Sequence, residues 1–409
     1  MEQTARIIST YSADVMGVCS ALFELGGMVV MHDASGCNST YTTHDEPRWF
    51  DMDSMIYISG LSEMEAIMGD DEKLIGDIEE AAAELHPKFI AIAGTPIPTM
   101  TGFDFEAVAL VIEQRTGIPT FGFPTTGMNT YIHGASMALA GIAERFVKEP
   151  AGRPAEAYDG TRPLRVNILG LTPLDFSVNG TDASIAKWLE DEGCEVVSRW
   201  AMGCDLEELG RAAEADVDLV VSAAGFGAAR VLFERFGIPY AVGIPSGDEL
   251  PGLMADIIKM KVKEFARMEG GAASLSFEEA EISVWSEQFS DPADDPDGRS
   301  YDSGFVAVIG EGVTSLSLAS AIEMELHRPA KVLCATECPE DILRDCDLMT
   351  PDEDDIIPAL AGADAVIADP MYAPIVPEGI KFIPLPHEGF SGRLYREEIP
   401  DLTKTNFTF

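Results

Sequence analysis

Residues 87–96 read Pro87-Lys88-Phe89-Ile90-Ala91-Ile92-Ala93-Gly94-Thr95-Pro96, an apolar run that closes in a tight turn. A run of this length, bounded by proline and glycine, is typical of a buried strand. A helical segment is predicted at about 105–114, and a second short apolar run begins at Gly117-Ile118-Pro119. This alternation of strand, turn, helix and strand predicts a parallel sheet covered by helices.

The ending of this unit recurs along the chain. Gly-Ile-Pro returns within Arg235-Phe236-Gly237-Ile238-Pro239, and a looser copy is Gly379-Ile380-Lys381-Phe382-Ile383-Pro384. The repetition predicts an α/β fold of three doubly wound, Rossmann-like parallel-sheet domains at 1–155, 160–270 and 300–409, with an acidic linker at 285–299. Open sheets of this kind bind ligands at the carboxyl ends of their strands, so functional residues are expected in the turns there.

Composition limits the classes of function. The 409 residues carry 27 basic and 70 acidic side chains, a net charge of −43. A surface this acidic disfavours binding to nucleic acid or to anionic membranes. The hydrophobic content of 46% excludes a wholly disordered chain. The acidity suits either simple solubility or a docking face for a basic protein partner.

The compartment is predicted from two further features. The N-terminal residues lack the basic and apolar regions of a signal peptide, and no segment has the apolar length of a membrane span, which predicts a cytoplasmic protein. Seven cysteines in a chain of this size do not indicate a disulfide framework. Cys194 and Cys204 are interpreted as packing thiols, and the set Cys334, Cys338 and Cys346 matches no standard metal spacing.

One glycine-rich turn carries part of a dinucleotide-binding fingerprint. Gly310-Glu311-Gly312 follows an apolar run and precedes a helical pattern, but Ser315 stands where the third glycine belongs. Small residues are also favoured at any such turn for close packing, and this interpretation is the stronger one. The chain has no Gly-Lys-Ser/Thr loop, so it is not expected to hold an ATP site of its own.

Two N-terminal cysteines lie at glycine-flanked boundaries. Cys19 follows Gly17-Val18, and Cys37 ends the stretch His32-Asp33-Ala34-Ser35-Gly36-Cys37. Thiolates that bind iron need backbone N–H groups close to their sulfurs, which neighbouring glycines permit. The spacing alone nevertheless favours buried structural thiols over ligands.

Further motifs accompany these cysteines. They are Ser62-Glu63-Met64-Glu65-Ala66-Ile67-Met68-Gly69, Lys73-Leu74, Pro87-Lys88-Phe89-Ile90, Thr95-Pro96-Ile97, Gly102-Phe103-Asp104 and Arg235-Phe236-Gly237-Ile238-Pro239. Together with the cysteine motifs, they make the chain resemble the nitrogenase component 1 superfamily over nearly its whole length, more weakly beyond residue 250. That superfamily includes the nitrogenase molybdenum–iron protein subunits, cofactor-assembly scaffolds, and the dark-operative protochlorophyllide and nickel-tetrapyrrole reductases.

The resemblance implies a subunit that pairs with a copy of itself or with a paralogue, as a dimer or tetramer. It implies a 4Fe–4S cluster shared across the subunit interface, with Cys19 and Cys37 as its ligands and Gly17, Gly36 and Thr95 beside it. It also implies a separate iron–sulfur ATPase that docks over the interface. This partner would deliver electrons for the reduction of a small molecule, tetrapyrroles being one such class.

Departures from the family pattern narrow these expectations. Thr95 stands where most members have a third cysteine, so a larger eight-iron cluster is not expected. Two cysteines from each of two chains would supply the four thiolates of one 4Fe–4S cluster. The cysteine that anchors the nitrogenase cofactor would fall near Val221-Ser222-Ala223-Ala224, and none is present. Reduction of dinitrogen is therefore not expected.

Any such reductase also needs proton donors. The candidates are His32, His44, Asp45 and His387, and each of them also suits a capping or packing role. His387 is a loose match to the C-terminal cofactor histidine of the family. The leading hypothesis is the catalytic subunit of an ATP-dependent two-component reductase. A non-catalytic scaffold for metal-cofactor assembly is one alternative, and a cluster-free nucleotide-binding enzyme using Gly310 and Gly312 is another.

Overall fold

Three separate parallel sheets form the framework of the computed structural model, which describes residues 5–36, 38–150, 158–285, 301 and 303–404. The first sheet contains β1 (Met28–Met31), β2 (Met55–Ile58), β3 (Ile90–Ala93) and β4 (Thr120–Phe123). The second contains β5 (Leu164–Leu169), β6 (Cys194–Trp200), β7 (Val217–Val220), β8 (Tyr240–Val242) and β9 (Glu281–Ile282). The third contains β10 (Phe305–Gly310), β11 (Ala330–Cys334), β12 (Leu348–Met349), β13 (Ala363–Ala368) and β14 (Lys381–Pro384).

Helices cover these sheets and connect their strands. Those of the first part of the chain are α1 (Asp14–Leu22), α2 (Glu63–Met68), α3 (Asp71–Leu85), α4 (Pro96–Thr101), α5 (Phe105–Thr116) and α6 (Tyr131–Phe146). Those around the second sheet are α7 (Pro173–Phe176), α8 (Thr181–Asp191), α9 (Leu206–Leu209), α10 (Phe226–Phe236) and α11 (Leu250–Phe265). The last are α12 (Gly312–Leu326), α13 (Glu353–Ala359) and α14 (Glu388–Ser391).

Each sheet is wound in the same way. The chain first forms an inner strand, adds one or two strands on one side, and then crosses to the other side. The resulting orders are β2-β1-β3-β4, β6-β5-β7-β8-β9 and β12-β11-β10-β13-β14, with every neighbouring pair parallel. The crossing leaves a crevice at the carboxyl ends of two inner strands, a switch point where such sheets bind ligands. The prediction of three doubly wound parallel sheets is confirmed.

Local sequence explains the elements of the first unit. The apolar run that ends at Ala93 forms β3, whose four residues are all buried. Helix α5 begins where the Asp104 carboxylate accepts a hydrogen bond from the backbone N–H of Ala107, and it ends at Gly117 with φ of 72°. Only a residue that tolerates this left-handed conformation suits that position. The predicted helix at 105–114 is therefore present and slightly longer.

Two observations bear on the predicted domain boundaries, which remain predictions. Strand β9 pairs with β8, so the second sheet includes residues beyond 270. The linker predicted at 285–299 lies outside the described residues except for Trp285, which is buried. No described helix combines the length and the apolar composition that crossing a bilayer requires.

Helices α1 and α6 cross with their backbones in contact. A Cβ atom at Gly17 would lie 1.9 Å from the carbonyl oxygen of Tyr131, and one at Gly134 would lie 1.8 Å from that of Asp14. Any side chain at either glycine would therefore force the helices apart. The crossing fixes the first turn of α6, where the ring of Tyr131 is fully buried.

Candidate functional site

Polar side chains of the second and third sheets meet where the switch points of these two sheets face each other. Thr172 and Asp175 follow β5, Ser222 follows β7, Glu311 follows β10, and Asp369 follows β13. We call this place the junction and define it by Tyr131, Thr172, Asp175, Ser222, Glu311, Asp369 and His387. Two independent crevices of the fold thus converge on one buried polar cluster.

Asp175 is the central acid of the junction and is 1% exposed. The Tyr131 hydroxyl donates to its Oδ1 at 2.5 Å, and the Thr172 hydroxyl donates to its Oδ2 at 2.7 Å. Burial and then the neighbouring negative charge of Glu311 raise the pKa of Asp175 to about 7. The surroundings of Asp175 therefore favour its protonated form.

Glu311 is the second acid, and it is fully buried at the beginning of α12. Its Oε1 accepts hydrogen bonds from the backbone N–H groups of Ala223 at 2.9 Å and Val313 at 3.1 Å. Its Oε2 accepts from the N–H and hydroxyl groups of Thr314, both at 2.9 Å. Burial raises the pKa of Glu311, and these hydrogen bonds act in the opposite direction. The carboxyl group therefore caps α12 and joins the second sheet to the third.

His387 completes the junction from the turn after β14. The backbone N–H of Gly389 donates to its Nδ1 at 3.1 Å, so in the neutral ring the proton lies on Nε2. Burial lowers the pKa of His387 to about 3, which keeps the ring neutral. Nε2 lies 3.7 Å from Oδ1 of Asp175 and has no hydrogen-bond partner in the described structure. The histidine thus directs an unused N–H group at the central acid.

The open space in the junction is small. A cavity of about 20 Å³ lies among Asp175, Glu311, Asp369 and His387, enough for about one water molecule. Asp369 holds the turn of His387 in place, because its Oδ2 accepts from the backbone N–H of that residue at 2.8 Å. An organic substrate would therefore have to separate the second and third sheets to reach these acids.

The predicted proton donors occupy three different settings. His387 belongs to the junction. His32 follows β1 at the switch point of the first sheet, where its Nδ1 lies 2.9 Å from the Ser59 hydroxyl and burial lowers its pKa to about 4. His44 lies in the π-helical turn Tyr41–Asp45, exposed, with Nδ1 2.7 Å from the Thr43 hydroxyl. Of the three, only His387 contacts the acid pair.

The residues predicted around a cluster are also dispersed. Thr95 follows β3 at the switch point of the first sheet, and its hydroxyl donates to the backbone carbonyl of His32 at 2.9 Å. Gly36 is exposed with open space around its Cα atom. Gly17 is used for the crossing of α1 and α6, which is a packing role. Cys37 lies outside the described residues.

Cys19 does not have the surroundings of a preformed iron ligand. It lies inside α1 with no exposed surface, and burial together with the charge of Glu46 raises the pKa of its thiol. An iron ligand must be a thiolate, which this environment opposes. The described conformation therefore does not fit a bound cluster at Cys19.

The glycine-rich turn after β10 does not form a phosphate site. The Glu311 carboxylate already occupies the N-terminus of α12, where a pyrophosphate would bind. A Cβ atom at Gly312 would lie 2.4 Å from the sulfur of Cys338 and 3.3 Å from that of Cys334, so this glycine serves packing of the two thiols. These contacts argue against the nucleotide-binding alternative.

Sequence reasoning missed most of the junction. Tyr131, Asp175 and Glu311 belong to no motif that marks them as acids of one site. A usable signal existed for Asp175 and Glu311, because each follows the first inner strand of its sheet, where a switch point is expected. The contact between the two sheets, by contrast, depends on the packing of distant segments.

Comparison with known proteins assigns the class. Residues 14–349 match the model of the nitrogenase component 1 type oxidoreductase family. The chain belongs to that family. Nitrogenase Cp1, solved at pH 6.5, has the same fold, with a TM-score of 0.64 and 18% identity over 98% of this chain and 92% of that chain.

Curated relatives fall into two functional groups. The chain is 27% identical over 186 residues to the nitrogenase iron-molybdenum cofactor biosynthesis protein NifE of Clostridium pasteurianum, over 45% of this chain and 38% of that protein. It is 25% identical over 203 residues to one subunit of the light-independent protochlorophyllide reductase of Prosthecochloris aestuarii, over 49% of this chain and 36% of that protein. The chain thus matches well under two thirds of either relative.

Proposed function

We propose that this chain is the catalytic subunit of a nitrogenase-like two-component reductase that adds electrons and protons to a small molecule other than dinitrogen. One observation carries the proposal: Asp175, with its pKa raised to about 7, lies against Glu311 where two switch points face each other. A carboxyl group with this pKa can hold a proton and release it near neutral pH, which a reductase needs at its substrate. The relationship to protochlorophyllide reductase supports the same assignment.

Each junction residue has a part in this proposal. Asp175 holds the proton that is given to the substrate, and Tyr131 fixes the orientation of its Oδ1. Glu311 raises the proton affinity of Asp175 by its charge, which keeps the proton available at pH 7. The Nε2–H group of His387 donates a hydrogen bond to a substrate oxygen or nitrogen beside Asp175.

The electron supply belongs to the proposal as well. As the family resemblance implies, an iron–sulfur ATPase would be the electron source, and Cys19 and Cys37 would hold a 4Fe–4S cluster shared by two subunits, provided that Cys19 becomes accessible. An exposed apolar face on α2 and α4 provides surface for such assembly. Its residues are Met64, Ile67, Met68 and Met100, of which Met100 is 87% exposed.

The decisive experiment separates electron entry from proton transfer. The chain is purified anaerobically with its ATPase, and ATP-dependent oxidation of reduced methyl viologen is followed with candidate substrates, tetrapyrroles among them. Asp175→Asn should lower turnover by roughly a hundredfold, because the proton donor is lost. Asp218→Asn is the matched control, since Asp218 is buried within β7 outside the junction, and should turn over normally. Full activity of Asp175→Asn would refute the assignment.

A scaffold for metal-cofactor assembly is the second candidate, because four curated relatives are NifE proteins, including those of Clostridium pasteurianum and Methanosarcina barkeri. A scaffold would copurify with a metal-cluster precursor and transfer it to an acceptor protein without turnover. Transfer without turnover would favour this candidate, and turnover without transfer would favour the reductase.

A further inference from the structure

We infer that Arg48 is a positioning residue that latches residues 41–48 over Cys19, so that this thiol can meet iron or a partner subunit only after the latch opens. The inference rests on the proposed role of Cys19 as a ligand. It follows from the disagreement between that role and the enclosed position of the thiol. We call residues 41–48 the cover.

The underside of the cover encloses the thiol. Cys19 has no exposed surface, and Tyr41 and Glu46 of the cover are 1% and 0% exposed. The Tyr41 hydroxyl donates to Oε2 of Glu46 at 2.8 Å, which ties the beginning of the cover to its end. Both residues lie close enough to the Cys19 thiol to interact with it electrostatically, so they form part of the wall that encloses it.

Arg48 holds the cover to the rest of the molecule. Its Nε lies 2.6 Å from Oε1 of Glu46, and its Nη1 lies 2.8 Å from Oε1 of Glu24 just beyond α1. Its Nη2 donates to the backbone carbonyl of Ser20 at 2.7 Å, and Nη1 also donates to the carbonyl of Ala201 at 3.3 Å. A single guanidinium group thus joins the cover, the end of α1 and the second sheet.

Asp45 attaches the cover to two further segments of the chain. Nη2 of Arg396 donates to the backbone carbonyl of Asp45 at 2.6 Å, and the Tyr11 hydroxyl donates to Oδ2 of Asp45 at 2.9 Å. This part is the π-helical turn Tyr41–Asp45, in which Thr43 and His44 are exposed. Turns of this kind are rare compared with α-helix and are often found at functional sites. Loss of the Arg48 contacts would leave the cover attached to the rest of the molecule through His44 and Asp45, whose partners are Tyr11, Arg393 and Arg396.

Labelling of individual thiols tests the latch without iron or activity. The iron-free chain is treated anaerobically with iodoacetamide, and the rate at each cysteine is read by peptide mass spectrometry. Cys334 is the internal reference, because it also has no exposed surface but lies in the third sheet. In the unaltered chain, Cys19 should react no faster than Cys334. In Arg48→Met, Cys19 should react roughly tenfold faster, with Cys334 unchanged, because only the cover opens.

Controls keep the result decisive. Arg145→Met removes a surface ion pair between α6 and Glu113 and should change neither rate. If Arg48→Met fails to fold because the Glu46 carboxylate loses its counter-charge, Arg48→Met with Glu46→Gln removes this buried ion pair, a replacement that buried pairs often tolerate. Glu24, the second partner of Arg48, keeps the backbone N–H of Gly203 as a hydrogen-bond donor. Equal acceleration of Cys19 and Cys334, or none at Cys19, would overturn the latch. The labelling result stands whether or not Cys19 binds iron, so it is independent of the proposed reductase.

Discussion

The Tyr131 hydroxyl lies 2.5 Å from Oδ1 of Asp175 and connects the beginning of α6 to the turn after β5. Because the phenol donates to the carboxylate, it stabilises the ionised acid, whereas burial and the charge of Glu311 destabilise it. The proton affinity of Asp175 is therefore set by a balance between these neighbours. Removing Tyr131 and removing Glu311 should therefore shift the pKa of Asp175 in opposite directions.

Tyr131→Phe should raise the pKa of Asp175 further, because the ionised form loses a hydrogen bond. Difference infrared spectroscopy of the carboxyl band, assigned with Asp175→Asn, measures the shift. Tyr372→Phe is the control, since that buried tyrosine donates to the carbonyl of Ser9 instead. An unchanged Asp175 band in Tyr131→Phe would contradict the balance described above.

Glu311→Gln should lower the pKa of Asp175, because a like charge is removed while a polar side chain remains to cap α12. If turnover requires protonated Asp175, activity is lost as pH rises, and this loss should begin at a lower pH in Glu311→Gln than in the unaltered chain. Glu337→Gln is the control, since Glu337 accepts from Thr130 outside the junction. Loss of activity at a higher pH in Glu311→Gln than in the unaltered chain would exclude repulsion between Glu311 and Asp175 as the cause of the raised pKa.

Gly17→Ala should destabilise the fold by about 1–3 kcal/mol, because its Cβ atom would lie 1.9 Å from the carbonyl oxygen of Tyr131. Gly76→Ala on α3 has open space around its Cα atom and should instead stabilise the chain by roughly 0.5–1 kcal/mol. Urea unfolding measures both. Equal effects of the two substitutions would mean that α1 and α6 do not cross at backbone contact.

Asp218→Asn tests a buried acid that belongs neither to the junction nor to the cover. Its Oδ2 has no partner in the described structure, and burial raises its pKa well above the usual value. The folded state therefore favours the protonated acid, and its stability falls as pH rises from the unfolded-state pKa of about 3.9 toward the folded-state pKa.

The Asn variant of Asp218 should accordingly be more stable than the unaltered chain at pH 8, by on the order of 1–3 kcal/mol, and equally stable near pH 4. Urea unfolding at both pH values checks the difference. Asp191→Asn changes an exposed acid paired with Lys187 and should produce no such dependence. A constant difference at both pH values would show that the effect is one of packing.

Cys19→Ala and Cys37→Ala should each abolish iron binding after anaerobic reconstitution and weaken subunit pairing, if these thiols hold the shared cluster. About two iron and two sulfide per chain are expected of the unaltered protein, since one 4Fe–4S cluster would serve two subunits. Cys194→Ala should change neither property, because Cys194 lies at the start of β6. Loss of iron in Cys194→Ala alone would overturn the ligand assignment.

Strand and helix periodicity was sufficient to predict the three sheets, because each is built from contiguous apolar runs and turns. The run that ends at Ala93, for example, is buried along its whole length in β3. The junction was not predictable in the same way. Strands β6–β10 lie between Asp175 and Glu311 in the chain, and the proximity of the two acids depends on how the second and third sheets pack. His387 was found by resemblance, whereas its unused Nε2–H group became evident only from the contact with Gly389.

The motif around Cys19 was recognised in the sequence, but its structural surroundings were not predicted. Glycine before Cys19 suggested access for iron, yet Gly17 is needed for the crossing of α1 with α6, and the thiol is enclosed by Tyr41 and Glu46. A sequence motif identifies which residue types are adjacent along the chain. It does not identify which segment folds over them, and here that segment begins more than twenty residues later.

Because the two switch points face each other, the proton affinity of Asp175 depends on the distance between the second and third sheets. Asp175 is attached to the second sheet and Glu311 to the third, and the repulsion between two charges falls as they separate. Any rotation that parts the sheets to admit a substrate would therefore weaken the repulsion and lower the proton affinity of Asp175. Opening of the molecule and release of the proton would then be a single event, with entry of the substrate as its trigger.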